Sequence, residues 1–138
     1  MFSDGGPYEC ESYGTLMTGA LMSGGPYIIP NVRVEGSAIR NNNLQGGAFR
    51  GYGINQAAIS IETAMDMMAE KLGMDSVALR LKNVMTPYAP WLPPYPCATV
   101  GLAECIERGA KQIGWERRHG KMTGDKPYNC LLYTSPSP

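Results

Sequence analysis

Four glycines and one arginine stand within Gly46-Gly47-Ala48-Phe49-Arg50-Gly51-Tyr52-Gly53, directly ahead of a strongly periodic apolar stretch that opens near Gln56. Glycine lets a backbone take up positive φ or come close to a bulky group. A loop that ends at a helix N-terminus also presents unpaired N–H groups to an anion. These residue types suit a polar or anionic cofactor held by main chain at the start of a helix. A turn that only redirects the chain has the same composition, and the loop taken alone leaves the two readings level.

Other chemistries find less support. No Ser/His/Asp set is arranged for nucleophilic catalysis, and no pair of carboxylates stands out in a loop. The single histidine, His119, lies in a basic run with Arg117, Arg118 and Lys121, which reads as a solvated loop. The four cysteines (Cys10, Cys97, Cys105 and Cys130) are far apart and form no CxxC pair, so a zinc site or iron–sulfur cluster is not expected. Thiols in a reducing compartment, and hence a cytoplasmic setting, are the reading for them. The methionines read as core filler rather than a metal-binding box. Basic and acidic residues number 12 each, giving a formal net charge of zero, so nothing points to nucleic acid or a charged membrane surface. No apolar run is long enough to span a bilayer.

The elements that must position the loop can be read from periodicity. Leu16, Met17, Ala20 and Leu21 recur at helical spacing and predict a short helix over 12–23, stopped by Gly24-Gly25-Pro26. Val32, Val34, Gly36 and Ala38 alternate with Arg33, Glu35 and Ser37, which predicts a half-buried strand broken by Asn41-Asn42-Asn43. Ile61, Ala64, Met65, Met68, Ala69 and Leu72 form an apolar stripe that predicts a long helix over 56–72. Asn55 is its expected N-cap and Gly73 its stop. Asp75 is expected to cap a further helix carrying Val77, Leu79 and Leu81. Thr86 to Ala98 holds five prolines with Tyr88, Trp91 and Tyr95, which excludes helix and reads as a strap packed on its own protein. A last helix over 101–114 places Leu102, Cys105, Ile106 and Ile113 on one face. No internal repeat is visible.

Three blocks in this order carry a family resemblance. They are Ile28-Ile29-Pro30-Asn31-Val32-Arg33, then Gly47-Ala48-Phe49-Arg50-Gly51-Tyr52-Gly53 with Gln56, then Leu72-Gly73-Met74-Asp75 with Leu79-Arg80-Leu81-Lys82-Asn83. Together they resemble the molybdenum-cofactor-binding subunit of the xanthine dehydrogenase and aldehyde oxidase family, from about Asp4 to Trp115. The chain departs from that pattern at Tyr52, where the family has Phe, and at Asn55, where it has Pro.

The resemblance implies an α+β fragment of a molybdopterin-binding domain over 1–129. It implies a molybdenum–molybdopterin cofactor, the cytosine dinucleotide form included, and oxidative hydroxylation of an N-heteroaromatic or aldehyde substrate. Partners would be iron–sulfur and FAD subunits or domains, with no nucleic acid and no membrane. By motif position Phe49, Arg50 and Gly51 would lie beside the cofactor, and Tyr52 would stack on a flat substrate. Counting back from Pro30, Thr18 stands where xanthine-type members carry an arginine for a purine oxygen. A threonine lacks that charged fork, which argues against a xanthine-specific pocket.

No catalytic residue and no direct metal ligand is expected within this stretch. The family's general-base glutamate is expected beyond it, so Glu62, Glu70 and Glu104 are not candidates; Glu62 is expected to face a helix neighbour. The chain is expected to be an internal fragment without activity of its own. Asp4-Gly5-Gly6-Pro7-Tyr8 reads as the end of a strand that begins earlier. Cys130 to Pro138 matches the translation of a transposon sequencing adapter and is read as a non-native tail, the alternative being a natural Ser/Pro-rich end. The competing functional readings are a non-catalytic phosphate- or nucleotide-binding module, which lacks a Walker lysine or a GxGxxG after a strand, and an interaction domain whose glycine loop only turns.

Overall fold

Helix-forming periodicity and glycine punctuation account for most of the elements. The computed structural model describes residues 2–8, 11–89 and 97–116. The order is β1 (Phe2–Gly6), α1 (Ser12–Leu21), β2 (Ser37–Arg40), α2 (Ile54–Leu72), α3 (Ser76–Asn83) and α4 (Leu102–Ile113). This is the expected α+β arrangement. The chain divides into two compact units, Met1–Ile106 and Glu107–Pro138. Cys10, the centre of the proline-rich strap, His119 with its basic run, the proposed boundary at residue 129 and the segment Cys130–Pro138 lie outside the described residues.

β1 and β2 pair in parallel with Phe2 opposite Ser37, and the register shifts between Asp4 and Gly6. A parallel pair needs a crossover between its strands. Here α1 supplies it, packing against both strands and against α2. Ser12, Leu16 and Gly19 are its buried positions, and Gly36 lies over Leu16, where an added Cβ would sit 3.3 Å from the leucine side chain. The alternation at Val32–Ala38 does not become the expected half-buried strand. Only Ser37–Arg40 is extended in the sheet, and residues 28–40 are exposed throughout. The described pairing starts at Phe2 opposite Ser37, and Val32 and Val34 lie ahead of that register.

α2 begins at Ile54, two residues ahead of expectation, and its N-cap is Gly53 rather than Asn55. Its stop is as expected. Gly73 takes φ 61°, its N–H donates to the Glu70 carbonyl at 3.1 Å, and the Met74 N–H donates to the Ala69 carbonyl at 2.9 Å. This is the paired bonding that closes a helix on a left-handed glycine. Asp75 then caps α3 by accepting from the Ala78 N–H at 2.9 Å.

The buried spine of α2 is Ala57, Met65 and Ala69, with Ile61 partly covered; Ala64, Met68 and Leu72 of the expected stripe are exposed. Met65, Ala69, Leu79 and Tyr27 form the core cluster, flanked by Ile61 and Met74. Tyr27 is delivered there by a short antiparallel bridge to Val84, bracketed by Ile28 N–H to Asn83 O at 2.8 Å and Met85 N–H to Pro26 O at 2.9 Å. The Tyr27 hydroxyl donates to both oxygens of Glu62, at 2.7 and 2.9 Å. Arg80 of α3 donates to the same carboxylate at 2.9 Å and to Asp66 at 2.7 Å. Glu62 therefore faces a helix neighbour, as expected. Burial, then the Glu62 carboxylate, push the Tyr27 phenol up to about 12. Burial opposes the Arg80 charge, but its bonds to Asp66 and Glu62 outweigh this and hold the guanidinium above its ordinary value. The cluster bolts α2, α3 and the Tyr27 segment together.

Candidate functional site

The glycine loop runs from the end of β2 to the start of α2 and is fastened at both ends. At its base the Asn41 N–H donates to Gly6 O at 3.3 Å and the Gly46 N–H to Gly5 O at 3.4 Å. Asn43 donates through its side-chain amide to Asp4 at 2.7 Å, and Asp4 also accepts from the Gly6 N–H at 3.1 Å. The hydrogen bonds from Asn43 and Gly6 hold the Asp4 carboxyl below its ordinary value. Gly46 passes so near β1 that a Cβ there would stand 2.4 Å from the Asp4 carbonyl oxygen.

At its other end the loop closes in a turn, with the Ile54 N–H donating to Gly51 O at 3.0 Å. Gly51, Tyr52 and Gly53 take φ 81°, 49° and 92° in succession. Both central residues at positive φ is the pattern of a type I′ turn, and it costs a non-glycine residue such as Tyr52 on the order of 1 kcal/mol. Gly53 is pressed on α1, where a Cβ would lie 2.1 Å from the Thr15 carbonyl oxygen. Asn55, instead of capping the helix, reaches back and donates to the Arg50 carbonyl at 3.4 Å.

Between these anchors the loop is open. The N–H groups of Gly47, Ala48, Phe49, Arg50 and Gly51 donate to no main-chain acceptor among the described residues. Phe49 is fully exposed at 102%, and Arg50 is exposed beside it. Gly47 is the informative glycine. Its φ is not in the left-handed region, and a Cβ there would meet nothing nearer than Glu11 Cβ at 3.8 Å. Gly46, Gly51 and Gly53 are explained by packing or backbone conformation among the described residues; Gly47 is not.

Tyr52 does not point freely outward. Its ring lies over Gly14 of α1, where a Cβ would be 2.3 Å from the phenol oxygen. Its hydroxyl donates to Glu11 at 2.6 Å, and 38% of the residue stays exposed. Thr18 is partly buried on α1. By helical spacing Glu11, Gly14, Thr15 and Thr18 share one face of α1, the face that carries the turn. Tyr52 thus lies against the α1 face that also carries Thr18 by helical spacing, Phe49 and Arg50 are exposed in the loop, and Gly51 opens the closing turn. Sequence reasoning missed Glu11 and Gly14, which are separated from Tyr52 by some forty positions and carry no local signal. No group of three or more metal-ligating side chains occurs among the described residues.

The molybdopterin cofactor-binding domain family matches residues 1–84. Among curated proteins, the aldehyde oxidoreductase of Megalodesulfovibrio gigas is 48% identical over 86 residues, 61% of this chain and 9% of its own. The nicotinate dehydrogenase large molybdopterin subunit of Eubacterium barkeri is 39% identical over 83 residues, 60% of this chain and 20% of its own. Among solved structures, the aldehyde oxidoreductase from Desulfovibrio gigas superposes with a TM-score of 0.75 at 35% identity, covering 89% of this chain and 14% of its own. The chain therefore spans a fifth or less of the relatives it matches.

Proposed function

We propose that this chain, which belongs to the molybdopterin cofactor-binding domain family, forms the loop-bearing part of a molybdenum hydroxylase that oxidises an aldehyde or an N-heteroaromatic ring. The observation that carries the reading is the loop tip. Its N–H groups from Gly47 to Gly51 meet no main-chain acceptor among the described residues and the exposed Arg50 stands among them, on a loop fastened to β1 and α1. That donor set fits an anionic, oxygen-rich pterin group, and Gly47 leaves room for its approach. When bound, the cofactor supplies the two-electron redox chemistry of hydroxylation.

This chain's own residues bind and orient. Gly47–Gly51 offer main-chain donors, Arg50 offers positive charge, and Tyr52 with Thr18 borders the substrate side. The names of two relatives, an aldehyde oxidoreductase and a nicotinate dehydrogenase, support the substrate class. Thr18 in place of an arginine favours those substrates over a purine. Iron–sulfur and FAD partners, the dinucleotide form of the pterin and a cytoplasmic setting belong to the same proposal; the free thiols of Cys97 and Cys105 accord with that setting. The test is Arg50→Ala in the complete enzyme. Molybdenum content or turnover should fall for every substrate alike. Wild-type turnover at full molybdenum content would remove Arg50 from the site.

A further inference from the structure

Tyr52 combines two features that a loop residue rarely shows together. It is a non-glycine residue at positive φ, 49°, between two glycines that share that conformation. It also makes a short hydrogen bond across the structure, from its hydroxyl to Glu11 Oε2 at 2.6 Å. Strain at such a position persists only where surrounding contacts over-determine it. Here they do so from two directions. Gly14 lets the ring settle against the backbone of α1, and Glu11, the residue capping the same helix, holds the ring by its far end. The remaining 38% of the residue is left facing outward.

We propose that Glu11 is a positioning residue for the substrate wall: its carboxylate, with Gly14 behind the ring, fixes Tyr52 as a rigid platform for planar substrates and ties the cofactor loop to α1. The platform role rests on the reading of the chain given above; the tie between Glu11 and Tyr52 rests on the geometry alone. A ring free to turn about χ1 and χ2 loses rotamer freedom each time a flat ligand stacks on it. A ring already bonded at its hydroxyl and backed by a glycine has lost that freedom beforehand. Glu11 therefore acts on the platform through Tyr52. Gly14 acts by having no side chain.

The experiment uses the complete enzyme with Tyr52→Phe, Glu11→Ala, their double variant, and Gly14→Ala. Alanine is a better helix former than glycine, so Gly14→Ala displaces the ring without weakening α1. Hydrogen exchange of the Ile54 and Ala57 amides, which donate to the Gly51 and Gly53 carbonyls at the Tyr52 turn, reads the tie directly. Steady-state kinetics with benzaldehyde and with acetaldehyde, normalised to molybdenum content, read the platform.

Each single variant should speed loop exchange about fivefold, the factor for one hydrogen bond of ordinary net strength. The double variant should go no further. In Glu11→Ala, KM for benzaldehyde should rise about as much, with kcat and the acetaldehyde kinetics unchanged. Gly14→Ala should reproduce the benzaldehyde effect. Unchanged or additive exchange overturns the tie. Coupled exchange with benzaldehyde kinetics untouched overturns the platform. Both of those results leave the functional reading standing. Wild-type enzyme that binds no molybdenum overturns that reading and the platform with it, and exchange still decides the tie.

Discussion

Replacing Gly53 by alanine should injure this protein more than replacing Gly73, although both are glycines at positive φ flanking the same helix. Gly53 takes φ 92° and Gly73 takes φ 61°. The conformational cost to an L residue is similar at both, on the order of 1–2 kcal/mol. Space separates them. Around Gly73 an added Cβ meets nothing within 4 Å, whereas at Gly53 it would stand 2.1 Å from the Thr15 carbonyl oxygen and 3.2 Å from the Gly19 nitrogen. Both neighbours are helix backbone, so relief requires α1 and the turn to part by about an ångström. Overpacking of that kind adds roughly 1–3 kcal/mol. Gly73→Ala should thus cost ~1–2 kcal/mol and Gly53→Ala ~2–5 kcal/mol. Chemical denaturation of the two variants beside wild type measures the difference. In the complete enzyme, Gly53→Ala should also lower molybdenum occupancy, because the displaced turn carries the cofactor loop, while Gly73→Ala should not. Equal destabilisation by the two substitutions would refute the close approach of the turn to α1.

Further outcomes follow from the clamp between α2 and α3. The Tyr27 phenol is raised from 10.0 to about 12 in the folded state, so the fold favours the protonated hydroxyl. Its contribution is complete below pH 10 and is lost as pH rises through 12, where a phenolate would face Glu62. Unfolding midpoints should fall across that window, and Tyr27→Phe should flatten the fall; an identical slope in both proteins would contradict the assignment. Arg80→Met should cost ~2–3 kcal/mol, because it leaves the partly buried Glu62 carboxylate to Tyr27 alone. Most of that loss comes from Glu62, since Asp66 is 61% exposed and its pairing is worth little. Denaturant titration of Arg80→Met and of Asp66→Asn tests the ranking.

The helices were legible because their signals are local. Apolar period, Gly73 and Asp75 together mark where α2 stops and α3 starts, and the structure shows each in that role. What escaped the sequence depends on partners far along the chain. The stripe on α2 includes Met68 and Leu72, but the described elements that cover this helix are α1 and α3, so the buried line is Ala57, Met65 and Ala69, with Ile61 partly covered. The alternation of Val32 and Val34 promised a strand, whereas among the described residues the pairing covers only Ser37–Arg40. Asn55 has the residue type of an N-cap, yet a glycine already at φ 92° ends the turn before it, so its amide serves the Arg50 carbonyl. The glycine loop stood out by composition. Which of its glycines packs against Asp4 and Thr15, and which stays open, is a tertiary property that no window of sequence contains.

Gly47 offers the most direct test of the central claim that the loop tip receives the cofactor. Nothing among the described residues needs this glycine, since a Cβ would meet only Glu11 Cβ at 3.8 Å and its φ is not left-handed. Gly47→Ala should therefore fold with undiminished stability, even a slight gain of about 0.4–1 kcal/mol from lost freedom in the unfolded chain. If the cofactor passes over this point, the added methyl obstructs it, and molybdenum per polypeptide in the purified complete enzyme should drop well below wild type. Full molybdenum content in a stably folded Gly47→Ala enzyme would contradict the account.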